Sequence, residues 1–419
     1  MRVALLNDSF PPVIDGVANA VVNYAAALHS HGQQVCVATP EYPGAKDEYP
    51  YPVVRYRSLD TTRLVGYRAG YPFSASAIGT MEQFMPDLIH SHCPVSANLL
   101  ARTLRERTHA PVIFTYHTKF DIDIRTAVRG HLLQNELINA LVRNIQACDE
   151  VWTVSRGAGE NLRSIGFNGD YIVMENGVDM PQGRAPQADI DRVSALCPCP
   201  EGVPVFLFAG RLRWYKGIRH IIEGLALAMH AGADFRMIFV GDGSDRASIE
   251  ALCAQAHLTP RCFFVGAVQD RSLLRAFYSR ADLFLFPSTF DTNGIVVREA
   301  AACGLGALLI RGSCAAEGVT DGQNGLLMEE NAESLCSRVL FACQHPEATR
   351  RIGDSAMREL YISWDQSVSR AEERYQVVLD RYRSREHKPR HDLFPFVSDW
   401  VGAVNSLREV QQQIIDLLR

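Results

Sequence analysis

The sequence predicts an α/β protein built from two Rossmann-like, doubly wound domains facing across a cleft. Three observations carry that expectation. Short apolar runs alternate with longer amphipathic segments along the chain, as in parallel strands covered on both faces by helices. A breaker-rich stretch from Met180 to Pro204 interrupts the alternation, which then restarts. Finally, the 419 residues exceed one ordinary domain, since about 100–200 residues suffice for each.

The first series opens with the buried run Val3–Leu6, followed by helical spacing from Val17 to His29. Strands are expected at Gln34–Thr39, Leu88–His90, Pro111–Tyr116, Glu150–Val154 and Tyr171–Met174, with helices near Ala97–Arg107 and Leu132–Cys148. Pro181, Gly183, Pro186, Pro198, Pro200 and Pro204 then suit an interdomain linker. In the second series strands at Val205–Ala209, Arg236–Val240, Arg261–Val265, Leu283–Pro287 and Ala307–Ile310 alternate with helices at Ile218–His230, Arg246–Ala256, Ser272–Ser279 and Gly294–Cys303. The expected division is 1–180, a linker at 181–204, a second domain at 205–363, and C-terminal helices over 364–419 packing back across the domains. Amphipathic patterns at Trp364–Ser384 and Trp400–Leu418 supply those last helices.

Composition narrows the function. Hydrophobic residues make up 47% and charged residues 21%, which excludes disorder and coiled coil as whole-chain descriptions. The net charge of −5 argues against a nucleic-acid binder. The 11 cysteines are scattered, as in free thiols of a reducing cytoplasm. No apolar stretch approaches the roughly 20 residues of a membrane span. The run Val3–Leu6 is too short for a secretory leader. These features predict a cytoplasmic protein, soluble or held at the inner face of the plasma membrane.

The loops after the strands carry the chemistry. Asn7 to Ala18 follows the first strand and opens a helix near Gly16, whose N–H groups favour an anion. Gly210-Arg211-Leu212-Arg213-Trp214-Tyr215-Lys216-Gly217 places Arg and Lys at a strand end, where a fork and a point charge grip phosphate. Gly241-Asp242-Gly243 ends the next strand as a tight turn. Pro287 to Gly304 runs from a strand end through Asp291 into a helix that opens at Asn293, Gly294 and Ile295 and closes at a C′ glycine. Asp291 and Glu299, eight positions apart, are placed to accept hydrogen bonds from vicinal hydroxyls of a sugar or ribose. Glu299 lies among apolar neighbours and needs a partner. His90 and His92 end a strand, but their spacing with Cys93 makes no metal site, and no metal is expected.

Taken in order, Gly210-Arg211…Lys216-Gly217, Val240-Gly241-Asp242-Gly243 and Pro287-Ser288…Gly294…Glu299-Ala300…Cys303-Gly304 resemble the signature of the retaining glycosyltransferases of family 4, with the GT-B fold. The resemblance implies a UDP-sugar donor, with UDP-glucose as the expected form, and no tightly bound cofactor. It places Arg211 and Lys216 on the diphosphate with the amides near Gly16, Val17 and Asn293–Ile295. It puts Glu299 on the ribose, Gly241 and Val268 around the nucleotide, and His117 against the transferred sugar. Asp291 stands where family members usually carry Glu. The Asp-Thr-Asn-Gly run at 291–294 is similar to that of the bacterial diacylglycerol glucosyltransferases.

The acceptor is left as a lipid, such as diacylglycerol or a glycolipid, or else a soluble glycan or small molecule. Tyr116, Lys119, Asp121 and Asp123 are candidates for its side of the site. Arg55, Arg57, Arg63 and Arg68 with Tyr51, Tyr56 and Tyr67 form a candidate patch for anionic lipid, with Asp60 as the one opposing charge. Residues 1–180 hold 15 Lys and Arg against 18 Asp and Glu, so any such patch is local. A nucleotide-sugar 2-epimerase or a binding protein on the same fold is the alternative class.

Overall fold

The computed structural model describes residues 1–13, 15–62, 68–128 and 130–384. The chain divides into two compact units, 1–175 with 367 onward, and 176–366.

In the first unit, β1 (Arg2–Leu6), β2 (Gln34–Pro40), β3 (Val53–Tyr56), β6 (Leu88–Ser91), β7 (Val112–Tyr116), β8 (Glu150–Thr153) and β9 (Ile172–Val173) form one sheet, while β4 (Ser58–Leu59) and β5 (Ala69–Gly70) make a small antiparallel pair. The sheet order is β3-β2-β1-β6-β7-β8-β9, parallel throughout. Val3, Ala4, Leu5 and Leu6 are all fully buried, so this central strand is covered on both faces. The helices Gly16–Ser30, Ala75–Phe84, Ser96–Thr108 and His131–Gln146 turn buried apolar stripes inward.

The Trp364–Ser384 helix joins this unit from Ser367 onward. Its Tyr375 stacks on Trp152 and shares a 2.6 Å hydrogen bond with His90 Nδ1. Arg374 and Arg381 both donate to Glu150, and Glu372 accepts from Gln33. Glu150 is nearly buried. Burial opposes its ionisation, but the Arg374, Trp152 and Arg381 hydrogen bonds outweigh it and hold its carboxyl below the usual range. The expected second tail helix, Trp400–Leu418, lies outside the described residues.

The second unit repeats the plan with β10 (Val205–Ala209), β11 (Arg236–Val240), β12 (Cys262–Gly266), β13 (Leu283–Phe286), β14 (Ala307–Ile310) and β15 (Leu326–Met328). Its order is β12-β11-β10-β13-β14-β15, again all parallel. The expected linker at 181–204 is part of this unit. Gln187–Leu196 is a helix that packs on the Arg271–Arg280 helix and puts Val193 and Cys197 into the core. Its prolines stand before the first turn and after the last, where they interrupt no helical hydrogen bond. The expected boundaries at 180 and 363 accordingly fall at 175 and 366.

Candidate active site

In the second unit the chain leaves β10 toward β11 on one side, while β13 lies against its other side. The loops after β10 and β13 therefore separate at the carboxyl edge, the topological switch point where open α/β sheets bind ligands. Two glycines let the backbones approach there. Gly217 has φ +75°, and a Cβ on it would lie 1.9 Å from the Pro287 carbonyl oxygen. At Gly241, with φ +134°, a Cβ would meet the Gly210 oxygen at 1.9 Å. No other residue fits either position without moving backbone.

That close approach brings Lys216 to Asp291. Lys216 Nζ donates to Asp291 Oδ1 at 2.5 Å, and the buried Ser288 hydroxyl donates to Oδ2 at 2.5 Å. The lysine side chain is only 11% exposed and lies over the Phe286 ring, 5.6 Å from its centroid. An ammonium has three donors, so Lys216 retains capacity beyond its bond to Asp291. Arg211 is exposed at the end of β10, and among the described residues its guanidinium has no hydrogen bond or ion pair. Tyr215 and Phe290 pack with tilted rings beside the pair, centroids 4.6 Å apart.

The Ile295–Ala302 helix starts on Gly294 in the left-handed conformation, and no side chain caps it. Its first N–H groups stay directed outward with partial positive charge. Asn293 Nδ2 is buried beside this start without a hydrogen-bond partner. At the other end Leu305 N–H donates to Ala300 and Gly304 N–H to Ala301, closing a Schellman motif on Gly304 as expected.

The partners of Glu299 are Arg271, which donates to Oε1 at 2.8 Å, and Tyr278, whose hydroxyl donates to Oε2 at 3.0 Å. Burial and the adjacent carboxylate push the Tyr278 phenol well above its usual range, so it remains a donor. Each carboxylate oxygen keeps a further lone pair for a ligand hydroxyl. Arg271 and Tyr278, 28 and 21 residues before Glu299, come from the helix that precedes β13, and the sequence does not mark them as part of the site. A hint was the Asp270 N-cap, which accepts from Ser272 and Leu273 and fixes the start of that helix. Val268 follows β12, half-buried against the core.

The switch point of the first unit lies between β1 and β6. Here the expected anion-binding amides are already engaged. Asp15 Oδ1 accepts from Val17 and Ala18 N–H at 2.8 and 2.7 Å. Gly16 is open, with nothing within 4 Å of an added Cβ. Asp8 does the same for the next helix, accepting from Ser96 and Ala97 N–H at 3.0 and 2.8 Å. Burial raises the Asp8 carboxyl to about 6, against its hydrogen bonds.

His117 ends β7, buried, and shares a 3.0 Å hydrogen bond with His92. Sequence reasoning placed His90 and His92 only at a strand end. Parallel pairing of β6 with β7 sets them beside His117. Tyr116 is fully buried with its hydroxyl on Asn161, and Asp121 accepts from the same side chain. Tyr116 is thus a core residue rather than a groove residue; the Asp123 side chain lies outside the described residues.

The arginine patch is also largely internal. Arg55 makes two 2.8 Å bonds to Asp47 and caps the Pro11 carbonyl. Arg68 bonds Ser58 and pairs with Asp60. Tyr51 and Tyr56 are buried. Arg57 remains exposed, while Arg63 and Tyr67 lie outside the described residues. The correction is that Asp47, eight positions from Arg55, opposes the cluster together with Asp60.

Two family models match the chain. "Glycosyltransferase Family 4" covers residues 14–181 and "Glycosyl transferases group 1" covers 197–359. The chain belongs to the family 4 glycosyltransferases. Among its relatives, an alpha-monoglucosyldiacylglycerol synthase of Acholeplasma laidlawii is 23% identical over 85% of this chain and 92% of its own. The Streptococcus pneumoniae protein of the same name is 22% identical over 73% and 70%. Among solved structures, sucrose-phosphate synthase of Thermosynechococcus elongatus superposes with a TM-score of 0.72 at 19% identity, over 91% of this chain and 99% of that one. Anabaena HepE, solved in complex with UDP, gives 0.69 at 18%, over 90% and 100%. These likenesses establish the GT-B fold for this glycosyltransferase. Among its described residues no helix is long and apolar enough to cross a membrane.

Proposed function

We propose that this glycosyltransferase moves a hexose from a UDP-sugar to an acceptor hydroxyl with retention at the anomeric carbon, and that the acceptor is a membrane lipid of the diacylglycerol class. The observation that carries the donor reading is the meeting of Arg211, Lys216–Asp291 and an uncapped helix start at one switch point. As the sugar leaves, negative charge builds on the diphosphate. Arg211, Lys216 and the N–H groups near Asn293–Ile295 are preorganised donors for it, so charge compensation comes from the chain itself. Glu299, held by Arg271 and Tyr278, takes the ribose hydroxyls, and Gly241 and Val268 frame the nucleotide.

Asp291 and His117 are assigned to the transferred sugar. Asp291, shorter than Glu and bound to Lys216 and Ser288, is a hydroxyl ligand rather than a nucleophile. Retention then follows from attack on the face the diphosphate leaves, with the leaving phosphate oxygen taking the acceptor proton. A glycosidase-like double displacement would need a second carboxylate about 5–5.5 Å from a nucleophile. Glucose as the sugar and a lipid acceptor are supported by the names of the Acholeplasma and Streptococcus relatives and by the Asp-Thr-Asn-Gly run.

The test is nucleoside diphosphate release from a panel of UDP-, GDP- and ADP-sugars, with and without diacylglycerol vesicles. UDP-glucose turnover stimulated by the vesicles is expected. Turnover of another donor, or indifference to vesicles with transfer to a soluble glycan, overturns the corresponding part. Lys216→Ala and Glu299→Ala should each lower transfer severely, Lys216→Ala by at least about 100-fold, with the fold intact; full activity in either removes the site assignment.

A further inference from the structure

The loop that carries Arg211 and Lys216 is held by its neighbour, the loop after β11. Leu212 N–H donates to the Asp242 carbonyl at 3.0 Å, and Asp245 N–H returns a bond to the Leu212 carbonyl at 3.4 Å. Gly243 lets the two backbones meet: a Cβ on it would lie 2.3 Å from the Leu212 oxygen. A side chain completes the hold. Asp245 Oδ2 accepts from the Trp214 N–H at 2.9 Å, and Arg213 Nε lies 3.5 Å from the same oxygen. Trp214 opens the 3₁₀ turn that ends at Lys216, where Lys216 N–H donates to the Arg213 carbonyl and Gly217 N–H to the Trp214 carbonyl.

What sets Asp245 apart is the bond it forgoes. It stands at the N-cap of the Arg246–Gln255 helix, where an Asp ordinarily accepts from the first N–H groups of its own helix. Asp270 and Asn331 do so in the same unit. Asp245 makes no such bond, and its backbone, at φ −98° and ψ 2°, is not extended as theirs is. Its other oxygen takes the Ser244 hydroxyl at 3.1 Å. Ser244 in turn accepts from Arg213 Nη1 at 2.8 Å, and Ser248 accepts from the Trp214 indole at 3.1 Å. Ser244, Asp245 and Ser248 are thus all turned onto the neighbouring loop. The Trp214 N–H holds the Asp245 carboxyl below the usual range, so it is ionised at neutral pH.

We infer that Asp245 is a positioning residue of the donor site: its carboxylate caps the Trp214–Lys216 turn of the neighbouring loop and so holds the segment that presents Arg211 and Lys216 to a diphosphate. This rests on the reading above that those two side chains grip the donor's phosphates. Each cation stands between anchors. Gly210 and Leu212, bonded to Val240 and Asp242, flank Arg211, while Trp214 on Asp245 and Gly217 against Pro287 flank Lys216. The charge of Asp245 works against the ligand, because a carboxylate repels a diphosphate. Its cap works for the ligand. The two contributions have opposite signs, and substitutions can separate them.

The test titrates the full-length protein with UDP and with uridine, which lacks the phosphates. Asp245→Ser keeps a good N-cap residue for its own helix, but its oxygen sits one bond nearer the backbone and cannot reach Trp214. It should weaken UDP about fivefold, one cap expressed as affinity, and leave uridine unchanged. kcat should fall about tenfold, less than the roughly 100-fold or greater loss on removing a whole positioned donor. Asp245→Asn keeps an acceptor oxygen and removes the charge, so it should bind UDP as tightly as the wild type or more tightly. The Asp245 side chain is 27% exposed, and circular dichroism should show each variant folded. Three results overturn the inference: UDP affinity unchanged or raised in Asp245→Ser, UDP and uridine weakened alike, or Asp245→Asn as weak as Asp245→Ser. Lys216→Ala tells the two failures apart. If it binds UDP as the wild type does, the reading of this loop as the phosphate grip falls. If it loses UDP while Asp245→Ser does not, the grip stands and the positioning role of Asp245 falls.

Discussion

At the switch point of the first unit, Asp8 and Asp15 each turn a carboxylate onto the N–H groups of a helix start. At the switch point of the second, the Ile295–Ala302 helix begins on Gly294 with no side-chain cap, and Arg211 and Lys216 stand on the neighbouring loop. The two sheets share a parallel, doubly wound plan, and both place helix starts at the edge where ligands bind. A helix start carries about half a positive charge, which either an internal carboxylate or an external anion can neutralise. At its switch point the first unit has spent two helix starts on its own Asp8 and Asp15. Of the two switch points, that of the second unit leaves a described helix start open beside cations, which is why the diphosphate is assigned to it.

The contrast can be broken most severely at Lys216. Lys216→Ala is expected to lower kcat by about 100- to 1000-fold, the range for a lost transition-state donor, with circular dichroism unchanged. A comparable loss on removing Asp15 would refute the division of labour.

Acid should separate the units next. His90, His92 and His117 have folded-state pKa values depressed below the ordinary 6.5. Their stabilisation is complete above about 6.5 and drains away as pH falls toward 3, because the unfolded chain takes up protons that the folded one refuses. Asp8, raised from 3.8 to about 6, has the opposite sign: its contribution is largest at low pH and is lost as pH climbs from about 4 to 6. Three groups outweigh one, so hydrogen exchange at pH 4 should open β6 and β7 before β10 and β13. Simultaneous opening would contradict this.

Tyr278→Phe deletes one partner of Glu299 within the second unit. It should cost about 1–3 kcal/mol of stability and raise KM for the nucleotide sugar, measurable by thermal melts and initial rates. The smallest effect is expected for Asp15→Ala. Loss of a helix cap costs about 1 kcal/mol, while KM for the donor is expected to stay unchanged because the freed Val17 and Ala18 amides are not among the groups assigned to the diphosphate.

The alternation of apolar runs made the two sheets legible, since strands such as Val205–Ala209 and Leu283–Phe286 are buried on both faces and read as unbroken hydrophobic stretches. Gln187–Leu196 escaped because proline density says where a helix cannot continue, not that one is absent between the prolines. The Arg211–Gly217 and Asp291–Glu299 segments were legible because each is contiguous. Arg271 and Tyr278 were not, because their meeting with Glu299 depends on two helices packing side by side. Asp15 was within reach: an acid just before an apolar helix is a cap signal, and it predicts that the amides behind it are engaged. Asp47, eight residues before Arg55, pairs with it only because the chain reverses between β2 and β3.

The helix from Ser367 to Ser384 is made after the whole second unit but completes the unit that is begun first. A ribosome delivers β1 to β9 early, then the whole of the second unit, and only afterwards the Tyr375, Arg374 and Arg381 that cover His90, Trp152 and Glu150. Domains generally mature in order of synthesis; here the order is inverted, and the amino-terminal half waits as an unfinished fold while its neighbour matures. A chain released early, at residue 366, would therefore keep the half to which the nucleotide is assigned and lose the half in which the histidines are assembled.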